Sequence, residues 1–197
     1  AQDLSRLRWA EEKARDIEKE NKRLTMSTTD SDLAQQNHML RAANSAAKII
    51  IGGMHQDYSM VLQQALQILG ESVQADRAYI WRNREVNGQL CCFERAEWST
   101  YNSAIMPYRE DYHPYDEIMP GWNDSFSQGV AISGAPEALP EKLRPLAVPQ
   151  KTKHAMPVPL LLHGEFWGFV GLNRRGGVAP FTEDEAENMG LFRLHHS

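Results

Sequence analysis

The side chains with the most chemical reach in this chain are Cys91 and Cys92, adjacent in "QLCCFERAEW", and the seven histidines His38, His55, His113, His154, His163, His195 and His196. Neighbouring cysteines stand about 3.8 Å apart at Cα across a trans peptide. A relaxed disulfide needs roughly 4.4–6.8 Å, so the pair is not a staple. On a regular strand the two thiols point to opposite faces, which leaves open a redox-sensing thiol or two small buried hydrophobes. With no other cysteine in the chain, a reducing cytoplasm is the expected location. No histidine pair has metal-ligand spacing, and no nucleophile motif or phosphate-binding Walker loop is present. The chain is therefore read as a non-enzyme with no catalytic residue and no metal site. Arg174, Arg175, Gly176 and Gly177 offer either an anion cradle or an ordinary strand-to-helix loop.

Binding is better represented. Trp98, Tyr101, Tyr108, Tyr112, Trp122 and Phe126 fall in or beside residues 101–129, a stretch broken by Pro107, Pro114 and Pro120. Long aromatic-rich irregular segments in a compact domain form lids or binding surfaces. Their rings offer rigid faces to a planar or apolar ligand. With His154 at the base of a later strand they make the candidate ligand-binding set, for an unidentified small molecule and no named cofactor. The same rings packed on one another would leave no cavity.

The elements that must position these residues follow from charge and periodicity. A chain of 197 residues holds one domain of about 150 residues plus an extension. Its net charge of −5 argues against nucleic acid or an anionic membrane as principal partner, since both require a basic face. No apolar run approaches the roughly 18 residues of a membrane span. Opening at Ala1 without Met, the chain is expected to be part of something longer. Leu7, Ala10, Ala14, Ile17, Asn21 and Leu24 alternate by three and four, as the a and d positions of a coiled coil do. Asn21 falls at an a position, where one polar residue favours a parallel dimer in register; a solvated single helix is the alternative. "TMSTTDSD" (25–32) is expected to break the helix. A second helix then carries Leu33, Leu40, Ala43, Ala47, Ile50 and Ile51 up to Gly52-Gly53, and a third, capped by Asp57, carries Val61, Leu62, Ala65, Leu66, Leu69 and Val73.

From Ala75 the period is two. "ADRAYIWR" and "QLCCFERAEW" flank Asn87-Gly88, a hairpin turn. A short strand is expected near "GVAIS" (129–133), then a second hairpin about His163-Gly164. In "HGEFWGFVGLNR", strict alternation sets Phe166, Gly168, Val170 and Leu172 against Trp167, Phe169, Gly171 and Asn173. Both faces are apolar, so the strand lies in mid-layer, and Gly168 and Gly171 admit close neighbours. Pro157 and Pro159 share a parity, so one side of their strand is an edge or only briefly paired. Thr182 and Glu185 form a capping box opening a last helix that runs to the end of the chain.

This order of elements resembles the GAF domain. "LQQALQILGESVQADRAYIWR" is similar to the opening helix and strand of bacterial signalling GAF domains, "HAMPVPLLLHGEFWGFVGLNRRGG" to their signature hairpin, and "FTEDEAENM" to the start of their closing helix. The resemblance implies an α+β fold: a GAF-like antiparallel sheet of five or six strands, with N- and C-terminal helices on one face and a lid on the other. The coiled-coil signalling helix and linker would take residues 1–30 and the GAF domain residues 31–197. It further implies residence within a sensor histidine kinase or cyclic-dinucleotide enzyme, with a small molecule under the lid and an output domain reached through the terminal helices; the seam containing Asn21 makes a homodimer the expected state. Bilin-attaching members need a lid cysteine, and residues 101–129 hold none. Relatives that reduce free methionine sulfoxide use separated cysteines, from which the vicinal pair departs. A structural dimerisation module without ligand and a GAF-related redox enzyme stay open as alternatives.

Overall fold

The computed structural model describes residues 2–52, 59–101, 111–132, 134–147, 151–190 and 193–194. It divides into two compact units, residues 1–38 and 39–197.

The first unit is helical. Helix α1 (Gln2–Gly52) passes through residues 25–32 without the expected break. The threonines there turn their hydroxyls onto the helix itself: Thr25 donates to the Asn21 carbonyl at 2.8 Å, Thr28 to that of Leu24 at 2.9 Å and Thr29 to that of Thr25 at 2.9 Å. Bonded back one turn, these hydroxyls no longer offer the backbone an alternative to helix. Ile17 and Leu24 of the a/d stripe are more than half exposed. The side chains of Leu7 and Ala10 lie outside the described residues, as does Asp57.

In the second unit, α2 (Ser59–Ser72) leads into β1 (Arg77–Val86) and β2 (Gln89–Ser99). Then come β3 (His113–Pro114), α3 (Tyr115–Ile118), α4 (Trp122–Ser127) and α5 (Arg144–Ala147), followed by β4 (Thr152–Leu162), β5 (Glu165–Arg175), α6 (Glu183–Gly190) and β6 (Arg193–Leu194). The sheet runs β3-β2-β1-β5-β4-β6 and is antiparallel except where two-residue β6 lies parallel to β4. Both hairpins turn on two residues of positive φ, Asn87-Gly88 and His163-Gly164, as the strand twist requires. α6 opens on the expected capping box: the Glu185 amide donates to Thr182 Oγ1 at 3.1 Å, and the Thr182 amide to Glu185 Oε2 at 2.8 Å. It ends at Gly190 rather than at the chain terminus, and Arg193–Leu194 return to the sheet beside Leu161 and Leu162.

Each face of the sheet carries its own core. Met39, Ala43 and Ala46 of α1, Leu62, Leu66 and Leu69 of α2, and Met189 of α6 pack with Ile80, Val158 and Val170 on one face. Tyr79, Trp81, Cys92 and Phe169 face the other, under Tyr115, Ile118, Met119, Phe126 and Leu143. The two strand glycines admit different neighbours. A Cβ on Gly171 would collide with the Tyr79 ring, and one on Gly168 with the Trp81 carbonyl.

Of the three register shifts in the sheet, one of which falls between Thr152 and His154, two correct the simple alternation. In β5, Leu160 pairs with Gly168 but Leu161 with Phe166, leaving Trp167 as the extra residue. An extra residue reverses the facing of everything before it. Phe166 therefore joins Phe169 on the lid face, and half-buried Trp167 packs against the helix-face core. In β2 the bulge falls at Arg95, between the pairs Trp81–Glu94 and Ile80–Ala96.

The strand expected at 129–133 reduces to one bridge, Gly134 with Ala155, and a bond from the Ile132 amide to the Pro157 carbonyl at 3.0 Å. Pro157 cannot return that bond and Pro159 offers no donor to the next, so the ladder stops.

The facing assignment makes a prediction. Phe169, fully buried, should cost about 3–5 kcal/mol on truncation to alanine. Half-buried Trp167 should cost less, about 1–3 kcal/mol. Urea unfolding of the two variants reads the order directly, and a larger loss for Trp167→Ala would refute the bulge.

Candidate functional site

The lid is fastened to the sheet edge by β3. His113 pairs with Cys92 and Pro114 with Cys91, which lays the His113 ring on Trp81, centroids 5.5 Å apart and nearly parallel at 27°. Burial lowers the His113 pKa against the opposing pull of Asp111. Directly after Pro114, α3 drives Tyr115 inward, where its hydroxyl donates to Asn83 Oδ1 at 2.6 Å. Asn83 Nδ2 in turn donates to the Phe166 carbonyl at 3.0 Å. One half-buried amide thus joins lid, β1 and β5.

Beyond the left-handed turn at Gly121, α4 supplies the apolar body of the lid. Trp122 meets Phe126 edge-on at 5.6 Å. Phe126, fully buried, reaches Phe166 at 5.6 Å and Phe169 at 5.5 Å. Tyr79, Trp81 and Phe169 form the floor, with centroids 5.5–6.5 Å apart. At one side of this floor the Arg77 guanidinium grips Glu97, at 2.9 and 3.0 Å, and lies 4.3 Å over the Tyr79 ring. Burial raises the Tyr79 pKa and the Arg77 charge opposes it.

One polar atom of the floor lacks a partner. Trp81 Nε1 is buried and finds no acceptor among the described residues. A buried N–H left unbonded costs about 1–3 kcal/mol, so an acceptor placed there is strongly favoured.

The cysteines are not poised for chemistry. Both are buried and free. Burial pushes the Cys92 thiol far above the ordinary range, and raises Cys91 with help from the Glu117 carboxylate. Neither is a thiolate at neutral pH, and the thiolate is the reactive form. Arg174 is also committed to structure: it donates to the carbonyls of Val73, Ala179 and Pro180, pairs with Glu185 at 2.6 Å and lies 4.0 Å from the Phe181 ring. The sequence Arg174 to Gly177 is accordingly a strand-to-helix connection. Among the described residues no group of three His, Cys, Asp or Glu side chains is placed to hold a metal.

Of the aromatics singled out from the sequence, the structure joins Trp122 and Phe126 within the lid and disperses the rest. Trp98 is on the opposite face, carried there by the bulge at Arg95 and seated on Gly70 of α2, where a Cβ would strike its ring. Tyr101 is 41% exposed, with the Arg175 guanidinium 3.5 Å above its ring. Tyr112 turns its edge to Phe93 at 5.0 Å and accepts a hydrogen bond from Arg84 at 2.8 Å. His154 is half-buried on β4, in register with Arg174. Tyr108 lies outside the described residues. The residues that build the floor, Tyr79, Trp81 and Phe169, were missed, as were His113 and Tyr115, which lie over it. Their signal was the shared parity of Tyr79 and Trp81 in "RAYIWR", which puts two large rings on one face of a central strand.

Comparison with known proteins completes the assignment. The methanogenesis regulatory histidine kinase FilI of Methanothrix harundinacea is 29% identical over 151 residues, 72% of this chain but only 16% of that protein. The GAF domain of a phosphoenolpyruvate-protein phosphotransferase from Coxiella burnetii shares the fold at TM-score 0.57 and 18% identity, over 80% of this chain and 89% of that one. The phycocyanobilin-bound GAF domain of a cyanobacterial phytochrome does so at TM-score 0.54 and 15% identity, over 78% of this chain and 87% of that one. Since residues 57–192 match the family model described as GAF domain, the chain belongs to the GAF domain family of regulatory modules in signalling proteins.

Proposed function

We propose that this chain is the sensory domain of a multidomain cytoplasmic signal-transduction protein. It takes up a small molecule between the sheet and the aromatic lid, and passes the change to an output domain, a histidine kinase by its likeness to FilI, through the terminal helices. The observation that carries the reading is the orphan donor Trp81 Nε1 in the lid-face floor. Flat apolar walls with a single N–H suit a planar ligand bearing one acceptor atom.

Transmission follows from the two-faced strands. Ile80 sits between Tyr79 and Trp81, and Val170 beside Phe169, yet Ile80 and Val170 belong to the core shared with α1, α2 and α6. A ligand that displaces the floor rings therefore acts on the helices through the same backbone. α1 is one continuous helix from Gln2 to Gly52, and its exposed stripe of Ala14, Ile17, Asn21 and Leu24 is the surface on which two chains pair in parallel.

The close packing around Phe126 favours a second reading, a dimerisation module whose lid never opens. Thermal shift distinguishes the two. Nucleotides, aromatic acids, polyamines and haem are screened against the chain, because a compound bound only to the folded state must raise Tm by mass action. Trp81→Phe keeps the ring and removes the donor, so it should weaken any hit about fivefold or more, and Trp122→Ala should abolish it. If no compound shifts Tm, and Trp81→Phe stabilises the unliganded protein, the module reading wins.

Pairing has its own measurement. Light scattering at tens of micromolar should return twice the chain mass, and deletion of residues 4–24 should return the monomer. A monomer in both cases removes the coiled coil.

A further inference from the structure

On the face of the sheet away from the lid, where β1 and β2 approach their turn, lies a cleft of about 390 Å³ lined by Arg82, Asn83, Arg84, Phe93 and Arg95. Strand alternation brings these residues together. Asn83 turns its amide toward Tyr115 and the lid, so Arg82 and Arg84 project to the reverse side, where Arg82 lies 5.5 Å over the Trp167 ring. Register sets Phe93 opposite Arg82, and the β2 bulge adds Arg95. The geometry points to an anion site here, for a small molecule carrying a di- or triphosphate group.

Three features support that chemistry. First, the described residues of the lining include three guanidinium groups and no carboxylate, in a protein of net charge −5. Like charges sharing a face repel, and a polyanion between them reverses the sign of that interaction. Second, two of the forks are held in place without being neutralised. Among the described residues Arg82 has no hydrogen bond or ion pair, only the stacking on Trp167. Arg84 is braced by the Tyr112 hydroxyl at 2.8 Å and by that ring at 5.8 Å, contacts that orient it and, among the described residues, leave its charge unmatched. Third, all three cations are arginine, whose planar fork matches paired phosphate oxygens where lysine offers a point charge. The volume falls within the roughly 300–1,000 Å³ of small-molecule sites, and buried Phe93 supplies an apolar wall beside the charges.

Titration calorimetry with inorganic pyrophosphate and with a nucleoside triphosphate, at constant ionic strength, tests the site. Saturable binding that weakens about tenfold or more in Arg82→Gln/Arg84→Gln supports it. Arg84 is exposed, so Arg84→Gln alone should fold normally and still weaken binding, and Arg84→Lys should lose affinity while keeping the charge. A triphosphate that binds more tightly than pyrophosphate indicates a ligand with an organic body against Phe93; equal affinities indicate free polyphosphate. No binding by either probe overturns the proposal. So does equal binding by wild type and variants, or binding of an acidic peptide with none of pyrophosphate, which would make the cleft a protein-docking surface. The outcome is independent of the lid ligand, because the variants leave Trp81 and Trp122 in place.

Discussion

The Tyr79 ring occupies the space that Gly171 leaves on the neighbouring strand, and the rest of the domain is arranged around that exchange of volume. A sheet covered on both faces must supply two cores from alternate residues of the same strands. β1 does so at the centre, with Ala78 and Ile80 turned to the helices and Tyr79 and Trp81 to the lid. Two large rings on one face of one strand cannot both lie over a neighbour that is equally bulky. Gly171 beside Tyr79, and Gly168 against the Trp81 carbonyl, are where β5 gives way. The reward is a continuous aromatic floor on which Phe126 and His113 can lie.

That floor stays in place because the helices opposite are tied to the sheet by polar bonds as well as by apolar packing. Arg174 is 4% exposed and holds the end of α2, the loop before α6 and the first turn of α6 at once. A guanidinium taken out of water is costly unless its donors are met, and here carbonyls and a carboxylate meet them. Glu185 serves twice, closing the capping box of α6 and neutralising Arg174. The closing helix is thereby fixed to the strand whose other end carries Phe166 and Phe169, so a single element bears both the tether and part of the floor.

Periodicity and turn chemistry made much of this legible. The Asn87-Gly88 and His163-Gly164 turns, the capping box, the brief pairing beside Pro157 and the two-faced β5 all follow from local rules that tertiary contacts did not override. The failures have three separate causes. A bulge adds a residue without leaving a mark in composition, and it reverses the facing of every side chain on one side of it. Trp167 was assigned by counting through such a point, and Trp98, chosen for its place beside the aromatic stretch, is turned away from the lid by another. The helix through residues 25–32 failed differently. Threonines read as caps can equally bond to the preceding turn, and only the surrounding helix decides which they do. The floor was missed for a third reason: large rings in a strand signal burial, and nothing local says which of two buried faces lies beneath a lid.

The same alternation that hid the floor also makes β1 the shared wall of two chemically different surfaces. Its odd residues near the turn include Asn83, bonded to Tyr115 of the lid and to the Phe166 carbonyl. Its even residues, Arg82 and Arg84, look the other way into a cationic cleft. Alternation along one strand is enough to separate them, because successive side chains leave opposite faces of the sheet. Arg82, Asn83 and Arg84 are consecutive in β1, so the lid's polar anchor and two of the cleft's cations stand on the same three residues of backbone.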